Sequence, residues 1–281
     1  MIPCIWYVSK IAHPWERAMI GNMATALRAR NVSVSLFVDG GTTDFCVDGI
    51  LSWRALTGLE RMRLVFSGGS LWHLWGTPPL WWGLVRVRSR TVHTSWAPSP
   101  AWRGHPSRLF TEQAGDGESI IKPTFESRLP QAEEPATERS EAAYLNWRDA
   151  PPNLRKAVTD LGCRIVDLRS ERFNTASAKS GFFLSGGSPS DALLAAALTI
   201  QGLAVVGRDS SYLHSLLGGE GSFIVEEDEE GAWRQAMERA LSDQGRARAT
   251  SARHFIKTHY SAAESADTLE ALYESVLEGN A

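Results

Sequence analysis

The sequence predicts an α/β protein with two Rossmann-like domains, the second reduced in size and followed by a helical C-terminal tail. Apolar strand-like runs alternate with segments of helical periodicity along most of the chain, which is typical of parallel sheets covered by helices. The polar, proline-bearing stretch "PQAEEPATERSEAA" at 130–143 interrupts this alternation. We therefore predict a first domain at 1–128, a linker at 129–142, and a second domain with the tail helices at 143–281.

The individual elements follow from apolar periodicity and from the glycines and prolines that bound each run. Strands are predicted at 4–9, 32–41, 63–69, 89–96, 143–148, 163–169, 180–185, 203–207 and 222–226. Helices are predicted at 14–30, 78–85, 152–162, 188–202, 212–218, 229–242, 245–260 and 262–277. In open α/β sheets of this kind, a ligand binds beyond the carboxyl ends of the strands.

Composition and charge exclude several classes of function. The 281 residues carry a formal net charge of -3 with a pI of about 6.2, so no global basic field points to nucleic acid. No apolar run approaches the roughly 18 residues of a membrane span, and "MIPCIWYVSK" is too short and polar for a secretory signal. Cys4, Cys46 and Cys163 form no CxxC pair, which indicates free thiols in a reducing compartment. We therefore expect a cytoplasmic protein without a metal site or a cofactor.

The stretch "SGGSPSDALLAAALTIQGLAVVGRD" at 185–209 predicts a strand end, a tight loop, a helix and a second strand. A helix that starts at the carboxyl end of a strand offers N–H groups and a positive dipole end, which favour an anion such as phosphate. Ser188 to Asp191 also match the S-x-x-[DE] capping box, with proline at the first helical position. Asp191 is therefore either a helix cap or a ligand of the substrate. The cap is favoured, because a carboxylate repels an anion.

The C-terminal half of the sequence resembles a known family. From Ser180 to Leu277 the chain resembles the second half of GT-B glycosyltransferases, most closely the retaining family 4, or glycosyltransferase group 1. The segment from Phe183 to Asp209 aligns without a gap with the family's "LPS" strand end and its "EGFGLxxLEAMAxGxPVVA" motif. The segments "ALSDQGRARATSARHFIKTHYS" and "LEALYESVL" resemble the family's tail helices.

The first half resembles the same family at three strand ends. "SLWHLWG" is similar to a "DVVHVHG" strand end, with His73 and Trp75 at its two histidine positions. "RTVHTSW" is similar to the strand that ends in "TVH" or "TFHT", so His93 falls on the family's active-site histidine. "SIIKPTFES" is similar to the family's step into the linker, with Pro123 on its proline.

The donor-binding signature of the family is altered in this chain. The family's Glu-x7-Glu pair binds the donor sugar and the ribose, but those positions are Pro189 and Ala197 here. The family's arginine and lysine pair for the diphosphate is reduced to Arg148, with Asn153 where the lysine is expected. The glycine loop after the first strand is replaced by "SKIAHPWERA".

The resemblance implies a set of site residues, each with a structural alternative. His93 would be the catalytic residue, or a histidine held by a backbone partner. The donor-binding residues would be Arg148, Ser188, Ser190, Asp191, Ser210 and Ser211. The acceptor-side residues would be His13, Trp15, His73 and Trp75. Arg148 could instead form a surface ion pair, Ser210 and Ser211 could cap a helix, and His73 could be structural. The tryptophans Trp72, Trp75, Trp81 and Trp82 could form the core or a platform for a sugar, a lipid or a partner.

Two classes of function are consistent with these residues. The first is a glycosyltransferase of polysaccharide biosynthesis that moves a sugar from a nucleotide-sugar to a glycan or lipid-linked acceptor. The second is a non-catalytic relative that serves as a partner subunit or a carbohydrate-binding module. A sugar-nucleotide epimerase of the same fold is a third alternative. We expect no nucleic-acid partner, and we keep open a homodimer, a protein partner and a peripheral position at the inner face of the membrane.

Overall fold

A computed structural model of the chain divides into two compact units. The first unit comprises Met1–Thr124 and Tyr260–Ala281, and the second comprises Phe125–His259. The structure describes residues 2–9, 14–38, 45–47, 51–55, 57–67, 70–76, 79–95, 105–108, 119–125, 141–144, 147–168 and 181–279.

The first unit is an eight-stranded sheet with helices, in the strand order β3-β4-β2-β1-β5-β6-β7-β8. Its strands are β1 Ile2–Val8, β2 Val32–Val38, β3 Phe45–Val47, β4 Leu51–Ala55, β5 Leu71–Trp75, β6 Thr91–Ser95, β7 His105–Arg108 and β8 Ser119–Ile120. Its helices are α1 Pro14–Arg28, α2 Gly58–Ser67, α3 Trp82–Arg88 and α9 Ala262–Glu278. All neighbouring strands are parallel except β3 and β4. The apolar run "IWYV" of β1 is buried, as expected for a central strand covered on both faces.

The second unit is a five-stranded parallel sheet in the order β10-β9-β11-β12-β13. Its strands are β9 Glu141–Tyr144, β10 Arg164–Asp167, β11 Phe182–Ser185, β12 Ala204–Arg208 and β13 Phe223–Val225. Its helices are α4 Pro152–Asp160, α5 Pro189–Ile200, α6 Ser211–Leu217, α7 Glu230–Leu241 and α8 Asp243–His259, and a 3-10 turn spans Trp147–Asp149. The core contains Phe182, Leu184, Val206 and Trp233. The prediction of an α/β protein with two parallel sheets and a helical tail is confirmed.

Three details of the predicted organisation are wrong. Residues 63–69 were predicted as a strand, but Arg63 to Ser67 belong to helix α2. The predicted linker 129–142 contains the start of β9, because Glu141 and Ala142 pair with β10; its residues 129–140 lie outside the described residues. The last helix, α9, was assigned to the second domain, but it packs in the first unit.

Helix α9 joins the first unit through apolar and polar contacts. It packs against α1 and β6, and it buries Leu269, Leu272 and Val276. The Tyr273 hydroxyl lies 2.6 Å from His73 Nδ1 of β5, and Asp267 forms an ion pair with Arg30 in the turn after α1. Burial of apolar side chains is the main stabilising term in such packing, so α9 is part of the first core.

None of the described helices is long and apolar enough to cross a lipid bilayer.

Candidate functional site

The second unit brings polar residues together at the carboxyl edge of its sheet. From β9 the chain moves to β10 on one side, and from β11 it moves to β12 on the other. The order of the strands therefore reverses between β9 and β11, and ligands of open α/β sheets bind at such a switch point. We call the residues at this edge the switch-point site: Tyr144, Arg148, Gly186, Gly187, Ser188, Ser190, Asp191, Arg208 and Ser210.

The loop between β11 and α5 is built from two glycines. Gly187 has a φ of +87°, in the region that residues with a Cβ atom rarely adopt. Its N–H donates to Ser185 Oγ at 3.2 Å, and its carbonyl accepts from Ser210 Oγ at 2.9 Å. Ser210 thus fixes the loop to the end of β12, which is a structural use of a residue predicted to bind the donor.

The start of α5 forms the predicted capping box. Ser188 Oγ accepts from the N–H of Asp191 at 3.1 Å, and Asp191 Oδ2 accepts from the N–H of Ser188 at 3.4 Å. Both N–H groups are therefore occupied, and Pro189 has none. In the first turn of α5, the backbone N–H of Ser190 is therefore the one that can bind a ligand. Asp191 acts as the cap, the interpretation that the sequence favoured.

Tyr144, at the end of β9, lies against this loop. A Cβ atom placed on Gly186 would lie 2.9 Å from Asp191 Oδ2 and 3.3 Å from the Tyr144 hydroxyl. Burial, followed by the nearby Asp191 carboxylate, raises the pKa of Tyr144 to about 12. The phenol therefore stays protonated at neutral pH and can donate a hydrogen bond. Within the described residues its hydroxyl has no hydrogen-bond partner.

Arg208 is the basic residue of the site that sequence reasoning missed. Its Cβ lies 3.5 Å from the position that a Cβ on Gly187 would take, so its side chain starts beside the glycine loop. Its guanidinium contacts Asp228 Oδ2 at 3.3 Å, and its side chain is 46% exposed. Asp228 also accepts a hydrogen bond from Trp233 Nε1 at 2.8 Å. Arg208 is therefore held in place, yet part of it remains open to an anion.

Arg148 lies in the 3-10 turn that follows β9 and is exposed. The turn is fixed by Arg155, which donates to the carbonyl groups of Arg148 and Ala150. Among the described residues, no carboxylate pairs with the Arg148 guanidinium, so the surface ion pair considered from the sequence is not formed there. Asn153, at the expected lysine position, donates to the carbonyl of Asp228. Of the arginine and lysine pair that the resemblance implies, this chain therefore has the arginine alone, and that arginine is exposed.

Ser211, also assigned to donor binding, is the first residue of α6 and is exposed. Ser210 occupies the N-cap position, but its side chain makes no capping hydrogen bond. The hydroxyl of Ser210 instead binds Gly187, as described above. The capping alternative for these two serines is therefore wrong for Ser210.

His93 lies in the first unit and is buried on β6, with 6% of its surface exposed. Its Nε2 is 2.7 Å from the carbonyl oxygen of Gly76, so Nε2–H donates to that oxygen. This is the backbone partner of the structural alternative. The catalytic role of His93 stays a prediction.

His73 and Trp75 are core residues of the first unit, which corrects their assignment to the acceptor side. Both have 0% exposure, so neither side chain can contact a ligand in this conformation. His73 bonds Tyr273 and Thr94 Oγ1, each at 2.6 Å, and it stacks on Trp75 with ring centroids 4.4 Å apart. Burial, and then the nearby His93, hold the pKa of His73 well below its usual value. It is a neutral structural histidine.

The structure does not describe the side chains of the other two residues predicted on the acceptor side. His13 lies outside the described residues, and Trp15 belongs to α1 but its side chain is not described. Of the tryptophans, Trp72, Trp75 and Trp82 are buried and Trp81 is half-buried. The core alternative is therefore correct for three of the four.

Comparison with solved structures identifies the architecture. The chain superposes on sucrose-phosphate synthase from Thermosynechococcus elongatus with a TM-score of 0.64 at 10% identity, covering 99% of this chain and 100% of that one. The chain has the GT-B fold. WaaG, a glycosyltransferase involved in lipopolysaccharide biosynthesis, gives a TM-score of 0.62 at 12% identity, covering 95% and 99% of the two chains. The S. aureus MnaA–UDP co-structure gives 0.57 at 11% identity, with coverage of 99% and 97%.

The sequence comparisons add no closer relative to this GT-B protein. No protein-family model matches the chain, and no curated protein sequence matches it. In the part of the chain that the structure describes, no group of three or more histidine, cysteine or carboxylate side chains could hold a metal ion.

We expect Asp191→Asn to raise the affinity for a nucleoside diphosphate by roughly three- to tenfold, because it removes a negative charge beside the site. Asparagine keeps an acceptor for the Ser188 N–H, so α5 should lose less than about 1 kcal/mol. Calorimetric titration measures the affinity, and Asp243→Asn, an exposed carboxylate in the first turn of α8, is the matched control. Unchanged affinity would show that the anion binds elsewhere.

Proposed function

We propose that the protein is a glycosyltransferase that moves a sugar from a nucleotide-sugar donor to a glycan or lipid-linked acceptor. The donor diphosphate would bind at the switch-point site. The observation that carries this proposal is that the side chain of Arg208 starts beside Gly187, in the loop that precedes α5 in a GT-B fold. Arg148 supplies a second, exposed cation at the same edge of the sheet.

Each group at the site has a defined part in binding the diphosphate. The guanidinium groups of Arg148 and Arg208 neutralise the phosphate oxygens through charge-assisted hydrogen bonds. The Tyr144 hydroxyl and the Ser190 N–H donate from β9 and from the first turn of α5, whose dipole adds a partial positive charge. These donors stabilise the negative charge that grows on the leaving diphosphate as its bond to the sugar breaks.

The donor sugar has few partners on α5. Pro189 and Ala197 stand where the family has its two carboxylates, and neither side chain can bond a sugar hydroxyl. The other residues of the helix are apolar and largely buried, apart from Ser190, Asp191 and Thr199. We therefore propose that affinity for the donor depends on its diphosphate more than on its sugar.

His93 fits a positioning role better than a catalytic one. Its Nε2–H holds the carbonyl of Gly76 at 2.7 Å, and the N–H of Gly76 donates to Thr94 at 2.9 Å. Gly76 has a φ of +93° and follows the last residue of β5. We propose that His93 fixes this glycine turn at the carboxyl edge of the first sheet. A role on the acceptor side would then act through the turn.

The proposal is tested by calorimetric titration of the purified protein with UDP, GDP, ADP and CMP, and then with the corresponding nucleotide-sugars. We expect micromolar binding of one nucleotide, with its sugar conjugate bound within roughly tenfold of the same affinity. A nucleotide-sugar that binds far more tightly than its nucleotide would show that the protein recognises the sugar strongly. Absence of binding to every nucleotide by the folded protein would contradict the proposal.

A non-catalytic partner or carbohydrate-binding protein is the second candidate. It is favoured by the loss of both family carboxylates at Pro189 and Ala197 and by the use of Ser188 and Asp191 as a cap. Release of free nucleotide from the bound nucleotide-sugar, measured with and without an added glycan, separates the two candidates. Turnover supports the transferase, whereas binding without any turnover favours the second candidate.

The cellular setting is part of the same proposal. Cys4 is buried and Cys163 half-buried, and neither forms a disulfide. Free thiols fit the reducing cytoplasm, where nucleotide-sugars are available to a transferase. We propose a retaining transfer there, without a metal ion.

A further inference from the structure

Two arginines of the second unit cover the same aromatic ring at the amino edge of its sheet. Phe223 is the first residue of β13 and is 2% exposed. The guanidinium carbon of Arg248, from α8, lies 4.4 Å from the centroid of this ring, and that of Arg239, from α7, lies 5.2 Å from it. Two cations that share one ring lie within a Debye length of each other, about 10 Å at 0.1 M salt, so their charges repel. We call Phe223, Arg239 and Arg248 the β13 arginine site.

Neither arginine of the site has a carboxylate partner among the described residues. Arg239 Nε donates to Gln244 Oε1 at 3.3 Å, and Arg248 Nη1 donates to the carbonyl oxygen of Ser222. The hydroxyl of Ser222 is buried and has no hydrogen-bond partner there. Because a guanidinium group has five N–H donors, most donors of the pair are left for a ligand. Arg239 is exposed and Arg248 is half-buried, so a ligand from solvent can reach them.

Two other arginines of the same helices are neutralised, and their partners limit the size of the ligand. Arg234 of α7 pairs with Glu238, and Arg246 of α8 pairs with Asp243. Both carboxylates are exposed and lie close to Arg239 in the sequence. With a net charge of -3 on the whole chain, they disfavour a long polyanion such as nucleic acid. A single small anion fits the two unneutralised arginines better.

The corner between α7 and α8 fixes the positions of the two arginines. A Cβ atom on Gly245 would lie 1.8 Å from the carbonyl oxygen of Ala240, so the corner has no room for a side chain at this point. Ser242 Oγ donates to the carbonyl of Arg239 at 2.7 Å, which ties the end of α7 to the corner. An anion would therefore meet donors on an ordered backbone, which lowers the entropic cost of binding.

We propose that the β13 arginine site binds the phosphate group of a small molecule. The two guanidinium groups donate to its oxygens through charge-assisted hydrogen bonds, for which their forked shape is suited. The anion removes the repulsion between the two cations and joins α7 and α8 to the start of β13. This site lies at the amino edge of the second sheet, whereas the switch-point site lies at the carboxyl edge, so its use does not depend on donor binding.

The test is calorimetric titration of the full-length protein with sodium phosphate at constant ionic strength, without any nucleotide. The protein carries Arg148→Ala and Arg208→Ala, so that the switch-point site lacks its two cations. We expect saturable binding of one phosphate with a Kd on the order of 1 mM, and no saturable heat from sodium chloride. Absence of saturable phosphate binding by this folded protein would overturn the proposal, whether or not the unchanged protein binds nucleotides.

Two matched pairs of further substitutions localise the phosphate. Arg239→Ala with Arg248→Ala should weaken binding at least about tenfold, because both charge-assisted contacts are lost. Arg234→Ala with Arg246→Ala removes the same charge from the same two helices and should change the Kd by less than about twofold. Arg239→Gln alone keeps a side chain over Phe223, should weaken binding about threefold, and serves if the first pair prevents folding. Undiminished binding in a folded variant of the site, or an equal loss in the control pair, would overturn the proposal.

Discussion

Replacement of Arg148 and Arg208 together by alanine is expected to weaken nucleoside diphosphate binding by roughly 100- to 10,000-fold. Each charge-assisted hydrogen bond to a phosphate contributes about 1.5–3 kcal/mol, and one arginine follows β9 while the other ends β12. Each single variant should show part of the loss. Calorimetry with the nucleotide that binds the unchanged protein measures the effect.

The control for this pair is Arg234→Ala, an exposed arginine of α7 in the same unit that pairs with Glu238. It removes the same charge from the surface and should leave nucleotide affinity unchanged. Loss of the Arg208–Asp228 ion pair should cost less than about 1 kcal/mol of stability, since the arginine side chain is 46% exposed. Thermal unfolding therefore separates lost binding from lost folding. If the double variant binds the nucleotide as tightly as the unchanged protein does, the diphosphate does not bind at the switch-point site.

His73→Ala is expected to lower the free energy of unfolding by about 4 kcal/mol or more. The imidazole is fully buried, and its removal breaks the hydrogen bonds to the hydroxyls of Tyr273 and Thr94, each of which contributes about 0.5–1.5 kcal/mol. The cavity beside Trp75 adds a further loss. Domains of this size are stable by only about 5–15 kcal/mol, so the first unit should melt at a much lower temperature.

The matched control is His254→Ala on α8, because that side chain is exposed. Its effect on stability should stay within about 0.5 kcal/mol, as is usual for surface substitutions. Tyr273→Phe removes one of the two hydrogen bonds of His73 and should cost about 1–3 kcal/mol. If His73→Ala unfolds at the same temperature as the unchanged protein but loses activity, His73 would have to be assigned to the acceptor side again.

Periodicity and end signals predicted the second unit well, for identifiable reasons. The strand 182–185, the helix 189–200 and the strand 204–208 are separated by glycines, and the helix begins with a capping box. The first unit was harder. "RLVFSGG" is a short apolar run before two glycines, and such a run fits the end of a helix as well as a strand. The helix α2 starts earlier, at Gly58, where Thr57 and Glu60 form a capping box.

The candidate site shows a different limit. Ser188 and Asp191 were identified because their roles depend on neighbours in the sequence. Arg208 was missed because its approach to Gly187 depends on the pairing of β11 with β12, which brings together residues 21 positions apart. The sequence did contain a signal for Arg208. It is a cation directly after the apolar strand "LAVVG", and this strand lies next to the strand that leads into the glycine loop. His73 and Trp75 were placed at a ligand because nothing in the sequence shows that α9 returns to cover His73 or that Trp75 stacks on that histidine.

The first unit is discontinuous in the sequence, since its core needs α9 from the C-terminal end of the chain. A ribosome makes the chain from the N-terminus, so residues 125–259 are complete before α9 exists. The second unit is continuous and can fold during synthesis. The first unit can place Tyr273 against His73 only after α9 has been synthesised. Until then His73 lacks the cover of Tyr273, so the core of the first unit is completed later than that of the second.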